Sequence, residues 1–533
     1  MTIHAVFIDT VSIQRYVFGS NKLKENIGAS HLIEEVYKSF LQETVRNIFS
    51  NSEYDDTFMQ WEENPDEYLI KKEEIKFEVG YIGGGNALLF FKDEVKLKTF
   101  VKEWTRSLLV KTPGIVTTVA FGAFNLNNFQ TEIDTLFRKL QENKRRLIPQ
   151  MVIPRHGITA ECSHTGFSMD VWNDKEPEDK QDYVSSVAYA KIVASKYATD
   201  KLEKKYTTIL GESYRFTDQL DELGQRKGED SHIAIVHIDG NSMGDRFRGA
   251  QTLKAIRELS KTIRNATEES FRKLLYEITS GFNDIQDTLG YDTDDKKKKY
   301  PAVKGKANLP IRPIIIGGDD ITFVCEGRLG VYFAKLFLKF FEEQDVSDGK
   351  KIFSSAGIAV TKTKYPFYRG YELAEVLCKN AKKRRREVPE RHAVDGSWID
   401  FYIAYGGFSG TLSEIRSSHY RVVQGNLNFG PYMLGKHHEY GFDTLIDNIK
   451  EFKKVFPKSK IKELRQVLTQ GKEATETFVH EMKARGRTLP EINGCSYSVS
   501  LFENSKTPYF DMIELMEYYP EFELEARQGG KTE

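Results

Sequence analysis

The segment IIIGGDDITFVC (314–325) decides the fold. Two β-prone apolar runs, residues 314–316 and 321–324, flank a turn of two glycines and two aspartates, which is a pattern typical of a β-hairpin. We therefore expect Asp319 and Asp320 at or just beyond the turn. Two adjacent like charges repel each other, and a divalent cation would relieve that repulsion. The segment thus predicts a hairpin that holds a cation.

A third carboxylate stands at the end of an upstream strand. The apolar run 233–238 ends at Asp239, and residues 240–244 (GNSMG) turn the chain beside it. Taken alone, Asp239 fits a turn-forming or helix-capping residue equally well. Together with the hairpin pair it could supply the hard oxygen ligands that Mg²⁺ prefers, with positions left open for water and triphosphate.

These landmarks occur twice in the chain. AVFIDTVS (5–12) aligns with IVHIDGNS (235–242), and YIGGGNALLFF (81–91) aligns with IIGGDDITFVC (315–325). Nearly equal spacing from the aspartate to the turn predicts a duplicated domain. In the first copy the turn reads Gly-Gly-Gly-Asn, so that copy is predicted to be inactive, and Asp9 is expected to have a structural role.

Composition limits the function classes. The 533 residues carry 77 Lys and Arg against 78 Asp and Glu, a net charge of −1, so phosphate contacts must come from local patches. A membrane-spanning apolar stretch and a secretory signal are both missing, and we expect a soluble, cytoplasmic protein. The four cysteines stand singly, without a CxxC pair, and are expected to be reduced.

Several stretches together resemble the large subunit of type III CRISPR effector complexes. Four of them are similar to its polymerase-cyclase palm domain, one to its first palm domain and one to its connecting module. In that order they are HIDGNSMG (237–244), IIIGGDDITFVC (314–325), SSAGIAVTKTKYPF (354–367), ELAEVLCKNAKK (372–383), IDTVSIQRYVFGSNKLKENIGAS (8–30) and AECSHTG (160–166).

The resemblance implies an α+β fold with two ferredoxin-like palm (nucleotidyl cyclase/polymerase) domains. We expect a degenerate first palm at 1–150, a small helical connecting module at 151–230, a catalytic second palm at 231–420 and a C-terminal helical domain at 421–533. The palm pattern begins within the first ten residues and no His-Asp dipeptide occurs, so a variant without the family's HD nuclease is expected.

The implied activity joins ATP molecules 3′ to 5′ into cyclic oligoadenylates with two Mg²⁺ or Mn²⁺ ions. By resemblance, Asp239, Asp319 and Asp320 match the catalytic metal ligands, and Ile238 joins them in the metal site. The implied nucleotide-binding positions are Gly240, Asn241, Ser242, Gly244, Gly317, Gly318 and Lys382, with Ser20, Asn21, Gly28 and Ser30 as candidates from the first palm.

Some of these residues have a second interpretation. Lys382 opens the run KKRRR (382–386) near the end of a predicted helix, where basic residues also suit the helix dipole. Phosphate contact and dipole stabilisation both fit it. Cys162 and His164 lie in the connecting module, but nothing nearby completes a zinc ligand set, so no zinc is expected.

The resemblance implies other CRISPR effector subunits and guide or target RNA as partners, and no membrane. Two alternatives stay open. The chain could be a stand-alone antiviral signalling cyclase with another cyclic nucleotide product, or a catalytically silent scaffold subunit that binds RNA and protein.

Overall fold

The computed structural model describes residues 2–49, 58, 60–66, 69–146, 157–225, 231–291, 300–388, 395–407, 410–436, 440–489, 501–502 and 504–524. Cys495 lies outside the described residues. In chain order, the α-helices are α1 (Ile13–Phe18), α2 (Leu23–Tyr37), α3 (Ser39–Phe49), α4 (Glu94–Lys111), α5 (Phe129–Arg145), α6 (Ser186–Lys205), α7 (Thr207–Leu210), α8 (Met243–Gly249), α9 (Leu253–Ser280), α10 (Phe282–Thr288), α11 (Gly330–Glu342), α12 (Phe367–Glu387), α13 (Leu412–His419), α14 (Phe442–Val455), α15 (Lys458–Gln470), α16 (Lys472–Ala484), α17 (Tyr509–Glu517) and α18 (Glu521–Leu524).

Within the described residues, the strands form two large sheets and three small ones. In chain order, they are β1 (Ile3–Val11), β2 (Phe77–Gly83), β3 (Asn86–Phe91), β4 (Val116–Phe124), β5 (Val171–Trp172), β6 (Tyr183–Val184), β7 (Tyr214–Arg215), β8 (His232–Gly240), β9 (Ala302–Val303), β10 (Lys306–Asn308), β11 (Ile311–Gly317), β12 (Asp320–Glu326), β13 (Ser354–Lys362), β14 (Trp398–Ile403), β15 (Arg421–Val422), β16 (Gly425–Asn426) and β17 (Tyr432–Met433).

The first large sheet has the antiparallel order β2-β3-β1-β4. Alternate residues of β1 belong to two different cores: Val6 and Ile8 join the main core, whereas Ala5 and Phe7 join a second core with Leu136 of α5. Because side chains alternate along a strand and both faces are covered, residues 5–8 in the middle of β1 form an uninterrupted apolar run.

The second large sheet has the order β11-β12-β8-β13-β14-β17. Strand β14 runs parallel to β13, and the other pairs are antiparallel. Its sixth strand, residues 432–433, lies beyond residue 420, inside the segment that we expected to be helical. Helices α14 to α17 follow, so the predicted helical character begins about twenty residues later than expected.

Two details of the backbone confirm the internal repeat. Ser12 and Ser242 follow the first strand of each copy, and both have a left-handed conformation, with φ of 57° and 59°. The outer hairpin strand of each copy, β2 or β11, also carries a register irregularity at the matching position before the turn. Such special conformations are unlikely to coincide in unrelated segments.

One helix of each copy packs against a strand of the other copy. Helix α2 of the first copy contacts β11 of the second, and α9 of the second contacts β2 of the first. Each outer hairpin strand is therefore covered by the partner copy, and the hairpin turns come together. The Cβ that a side chain at Gly318 would carry lies 4.0 Å from Cα of Gly84.

The remaining segments pack around this pair. Helix α6 of the connecting module lies along α2, and β7 of that module pairs with β10 in a separate small sheet. Cys162, Cys325 and Cys378 are buried and free of disulfides, as expected for core residues. Among the described helices, none is long and apolar enough to span a bilayer.

Helix α17 is anchored by buried carboxyl groups. Oδ2 of Asp511 accepts hydrogen bonds from the backbone N–H groups of Phe429 and Gly430 and from the hydroxyl of Tyr432. Oε2 of Glu514 accepts from the hydroxyl of Tyr420 at 2.9 Å. Burial raises the pKa of Glu514 to about 8. The helix is therefore held by a carboxyl group that prefers to be protonated.

We expect Glu514→Gln to reduce the loss of stability that the chain suffers at high pH. The folded pKa lies above the ordinary value, so the folded state keeps a proton that the unfolded state releases, and stability falls as pH rises from about 4.5 to about 8. The glutamine variant lacks that dependence. Denaturant unfolding at pH 6 and pH 9 measures the difference, with the exposed Glu517→Gln as the matched control on the same helix. Equal pH dependence in both variants and the parent would contradict this.

Candidate metal and nucleotide site

The three candidate carboxylates meet where β8 ends beside the β11–β12 hairpin. Asp239 and Asp320 are directly opposite each other in the antiparallel β8–β12 pair, and Asp319 precedes Asp320 in the turn. On its other side, Asp239 is opposite Ser355 of β13. The carboxylates therefore come from two neighbouring strands at one end of the sheet.

The site concentrates negative charge in a partly buried place. Burial, followed by the charges of Asp239 and Asp320, raises the pKa of Asp319 to about 7. Burial and the charge of Asp239 raise the pKa of Asp320 well above its ordinary value. Oδ1 of Asp320 is inaccessible to solvent and has no hydrogen-bond partner among the described residues. A cation at this position would supply the missing partner.

Lys382 neutralises part of this charge. Its Nζ lies 2.6 Å from Oδ2 of Asp239 and donates to the carbonyl oxygen of Gly240 at 2.8 Å. The first copy contains the same arrangement, because Nζ of Lys144 on α5 lies 2.6 Å from Oδ2 of Asp9. The ion pair with the strand-end aspartate is thus common to both copies. Phosphate contact by Lys382 stays a prediction.

The residues present fit a divalent cation. Carboxylate oxygens are the hard ligands that Mg²⁺ and Mn²⁺ prefer, and one of them, Oδ1 of Asp320, makes no hydrogen bond to a described residue. The carboxylate oxygens of Asp239, Asp319 and Asp320 do not all lie within 4.8 Å of one another. Among the described residues, only His31, Glu34 and Glu35 bring three His, Cys, Asp or Glu ligand atoms that close together. That group is already engaged by lysines, since Lys201 lies 2.8 Å from Glu34 and 3.3 Å from Glu35.

The glycine after Asp239 lets Asp319 approach the end of β8. The backbone N–H of Gly240 donates to the carbonyl oxygen of Asp319 at 3.1 Å. A Cβ at Gly240 would lie 2.7 Å from Oδ2 of Asp319 and 2.8 Å from its Cβ. Any larger residue would therefore displace the turn carboxylate.

We expect Gly240→Ala to lower the nucleotidyl-transfer activity that the sequence predicts for this site at least about tenfold, because an ångström-scale shift of a positioned group has effects of that order or larger. The matched control is Gly249→Ala, at a position where a Cβ meets nothing within 4 Å. Product formation and the thermal unfolding temperature are measured for both. An active Gly240→Ala protein with an unchanged unfolding temperature would contradict the role of this close contact.

The hairpin turn itself is open on one side and supported on the other. A Cβ at Gly317 would meet nothing within 4 Å. Gly318 has φ of +59°, a conformation that favours glycine, and its carbonyl oxygen accepts a hydrogen bond of 2.6 Å from the hydroxyl of Thr267 on α9. The turn is therefore held from the helix while Gly317 leaves space beside it.

The other predicted positions in the second copy differ in exposure. Asn241 is 6% exposed; its Oδ1 accepts from the hydroxyl of Ser355, and its Nδ2 has no partner among the described residues. Ser242 is exposed, and Nη1 of Arg385 donates to its hydroxyl at 3.3 Å. Gly244 is exposed on α8. Ile238 is fully buried within β8.

The candidate residues from the first copy differ in exposure, and one of them lies in a contact between helices. Ser20 is buried, and its hydroxyl accepts from the backbone N–H of Lys22. Ser30 is partly exposed on α2, and Asn21 is exposed before it. Gly28 lies at the crossing of α2 and α6, where a Cβ would be 1.8 Å from the carbonyl oxygen of Lys191. Helix packing alone accounts for that glycine.

Sequence reasoning missed two residues near the site. His237 is buried, and its Nδ1 lies 3.0 Å from Oγ1 of Thr322 and 3.4 Å from Oδ1 of Asp320. Burial lowers its pKa to about 4. Because residues two apart in a strand share a face, its position two before Asp239 was the available signal. The second residue, Thr267, lies far away in sequence and gave no signal.

The connecting module binds the first copy through an ion pair. Nδ1 of His164 lies 2.5 Å from Oε1 of Glu25, which is almost completely buried. This contact raises the pKa of His164 above its ordinary value. The histidine of the predicted zinc-site remnant is thus engaged by a carboxylate, as part of the contact between module and palm.

Comparisons with known proteins agree with this architecture. Residues 232–389 match the family model described as Cas10/Cmr2, second palm domain. No curated protein sequence matches the chain. Among solved structures, a Csm1-Csm4 cassette in complex with pppApApA matches with a TM-score of 0.54 at 11% identity, covering 97% of this chain and 69% of that one.

Two further structures of the same cassette are similar. The complex with pppApA has a TM-score of 0.53 at 10% identity, with 97% of this chain and 69% of that chain covered. The complex with cA4 has a TM-score of 0.50 at 10% identity, covering 97% and 70%. At this identity the likeness concerns the fold. Residues 232–389 are therefore similar to the second palm domain of Cas10/Cmr2, and the chain as a whole has a fold like that in the Csm1-Csm4 structures.

Proposed function

We propose that the chain is a nucleotidyltransferase that converts ATP into cyclic oligoadenylates by forming 3′–5′ phosphodiester bonds. The observation that carries the proposal is the set of three carboxylates, Asp239, Asp319 and Asp320, at the end of β8 and the turn of the β11–β12 hairpin. They lie inside the segment that matches the second palm domain. In the first copy only Asp9 is present, and Lys144 pairs with it.

Asp239, Asp319 and Asp320 would hold two Mg²⁺ or Mn²⁺ ions, with Ile238 contributing only through its backbone because its side chain is buried. When bound, such ions lower the pKa of an attacking hydroxyl and stabilise a departing pyrophosphate. The raised pKa of Asp319 supports this assignment, because the folded chain places the three carboxyl groups where their shared negative charge is unfavourable without a counter-charge.

Other residues of this site would position the triphosphate. The open side of Gly317 leaves room for a phosphate to approach the backbone of the turn. Lys382 and Arg385 lie one turn apart on α12. Their side chains donate to the carbonyl oxygen of Gly240 and to the hydroxyl of Ser242, and so bring positive charge to this segment. The protein's own contribution is then mainly positioning and charge neutralisation, as in other phosphoryl-transfer sites.

The similar structures support the choice of adenylate chemistry and of partners. Their bound molecules are pppApApA, pppApA and cA4, and each contains the Csm1-Csm4 cassette. We extend these properties to the present chain as part of the proposal. It would act with other type III CRISPR subunits and with guide and target RNA.

Mass spectrometry of reaction products tests the proposal. The purified chain is incubated with each of the four NTPs and Mg²⁺ or Mn²⁺, with and without single-stranded RNA. We expect cyclic oligoadenylates from ATP and little product from the other nucleotides. Product that requires RNA favours the complex, whereas product without RNA favours a stand-alone cyclase. Absence of product under all conditions, with cognate subunits added, would overturn the proposal.

A further inference from the structure

Two cavities adjoin where the second palm meets the C-terminal helices. One has a volume of about 690 Å³ and lies between β14, α15 and α17. The other, of about 340 Å³, lies between the end of α12, α13 and the β15–β16 hairpin. Tyr420 lines both of them. We call the two together the junction groove.

The junction groove is basic although the chain is not. Among the described residues, seven Lys or Arg side chains line it against three Glu, and one of the seven, Arg416, is paired with the buried Asp400 at 2.7 Å. Arg421 and Lys462 are exposed, and within the described part of the chain no ion pair engages either of them. A third cavity of the molecule, beside α9, has the opposite character, with Glu268, Glu269 and Asp345 against one arginine. Basic charge is therefore a property of this groove and not of cavities in general.

Carboxylates offset part of this charge, because Asp400 pairs with Arg416 and the exposed Glu517 lines the larger cavity. Burial raises the pKa of Glu514 to about 8, so it is largely protonated at neutral pH. Glu387 lies 3.7 Å from Lys383 and 3.9 Å from Arg384, distances at the long end for an ion pair. The groove thus keeps a net positive charge suited to phosphate groups.

Aromatic faces line the larger cavity. Tyr402, Tyr405, Tyr420 and Phe510 all contribute to its wall, and of these four rings only that of Tyr405 is exposed. Tyr405 is 40% exposed, and the guanidinium of Arg465 lies 4.6 Å from the centre of its ring. Nε of Arg465 is buried without a hydrogen-bond partner among the described residues. Exposed aromatic rings beside cations are the combination on which unpaired bases stack.

We propose that the junction groove binds a single-stranded polynucleotide, with its phosphates on the basic side chains and a base on Tyr405. The inference rests on the proposed function for the biological source of the strand, an RNA, and adds where on this chain the strand lies. Helix α12 links the two places, because Lys382 faces the carboxylates while Lys383 and Arg384 line the groove.

Fluorescence anisotropy with labelled 20-mers of single-stranded RNA, single-stranded DNA and duplex RNA tests the proposal on the full chain. The charge variant is Arg421→Ala/Lys462→Ala, and the control Lys98→Ala/Arg106→Ala removes the same charge from exposed positions on α4. Loss of two phosphate contacts is expected to lower the slope of log K against log salt by about 1.4. Tyr405→Ala is expected to weaken binding roughly fivefold or more without changing that slope.

Affinities of the charge variant equal to those of the control would overturn the proposal. Duplex RNA that binds as tightly as the single strand would overturn the stacking contact. Preferential displacement by polyglutamate over unlabelled strand would assign the groove to an acidic protein instead. Comparison of the affinities for single-stranded RNA and single-stranded DNA shows which of the two the groove prefers. Anisotropy is measured without ATP. A chain that binds the single strand but makes no cyclic oligoadenylate therefore refutes only the proposed function.

Discussion

Asp319→Ala/Asp320→Ala is expected to lower the rate of product formation from ATP by about three orders of magnitude or more. Metal-ion stabilisation of the transition state is worth several kcal/mol, and each increment of about 1.4 kcal/mol changes the rate tenfold. The variant removes the two turn carboxylates and leaves Asp239 with Lys382, which then fully neutralises it. Mass spectrometry of products from ATP measures the loss.

The substitution should not lower the stability of the folded chain. The raised pKa of Asp319 indicates that its charge is unfavourable in the folded chain, so at neutral pH the unfolding temperature is expected to stay equal or rise. Asp9→Asn is the matched control, since Asp9 occupies the same strand end in the first copy but pairs with Lys144. Its activity should remain near that of the parent. Comparable losses in both variants would show that the two palms share the chemistry, contrary to our proposal.

Arg257→Met is expected to destabilise the chain by about 3–5 kcal/mol, the usual cost of breaking a buried ion pair. Nη2 of Arg257 on α9 lies 2.8 Å from Oε1 of Glu78 on β2, and its Nε donates to the carbonyl oxygen of Gly80 at 2.6 Å. Both side chains of the pair are nearly inaccessible to solvent, at 1% and 2% exposure. Denaturant unfolding measures the effect.

A second ion pair between α9 and the first copy is the natural control. Arg264 pairs with Glu62, but these side chains are 31% and 21% exposed, so Arg264→Met should cost about 0–1 kcal/mol. The double variant Arg257→Met/Glu78→Leu should recover part of the lost stability, because it leaves no unpaired buried charge. Equal effects of Arg257→Met and Arg264→Met would refute the importance of the buried pair.

The Arg257 variant also bears on function. The same helix carries Thr267, whose hydroxyl holds the carbonyl oxygen of Gly318 in the hairpin turn. Loosening α9 from the first palm should therefore disturb the turn that presents Asp319 and Asp320. This makes the first palm a support for the site although its own hairpin turn carries no carboxylate.

The hairpin and the repeat could be predicted because their signals are local. The glycine turn between two β-prone runs indicates a hairpin without reference to any other segment. Matched spacing of a strand-end aspartate and a glycine turn indicates a repeat, and the left-handed Ser12 and Ser242 confirm it in the structure. The sixth strand of the second sheet could not be predicted, because two residues such as Tyr432 and Met433 carry no periodicity.

Lys382 illustrates the limit of sequence reasoning at the site. A basic residue near a helix end is compatible with the helix dipole and with a phosphate, and sequence spacing cannot decide between them. The structure adds a partner that neither interpretation named, the carboxylate of Asp239, and shows the same contact between Lys144 and Asp9. A contact between residues 143 positions apart depends on how helix and sheet pack.

By itself, the sequence determined the two palm-like copies, the loss of the two hairpin-turn carboxylates in the first and the identity of Asp239, Asp319 and Asp320 as the chemically informative residues. Each of these follows from residue type and short-range spacing. Only the tertiary structure decided that the two hairpin turns meet, that Thr267 holds one of them and that cations from distant segments line the junction groove. Those arrangements arise because helices of one copy cover strands of the other, and burial of apolar faces brings together residues that are remote in the chain.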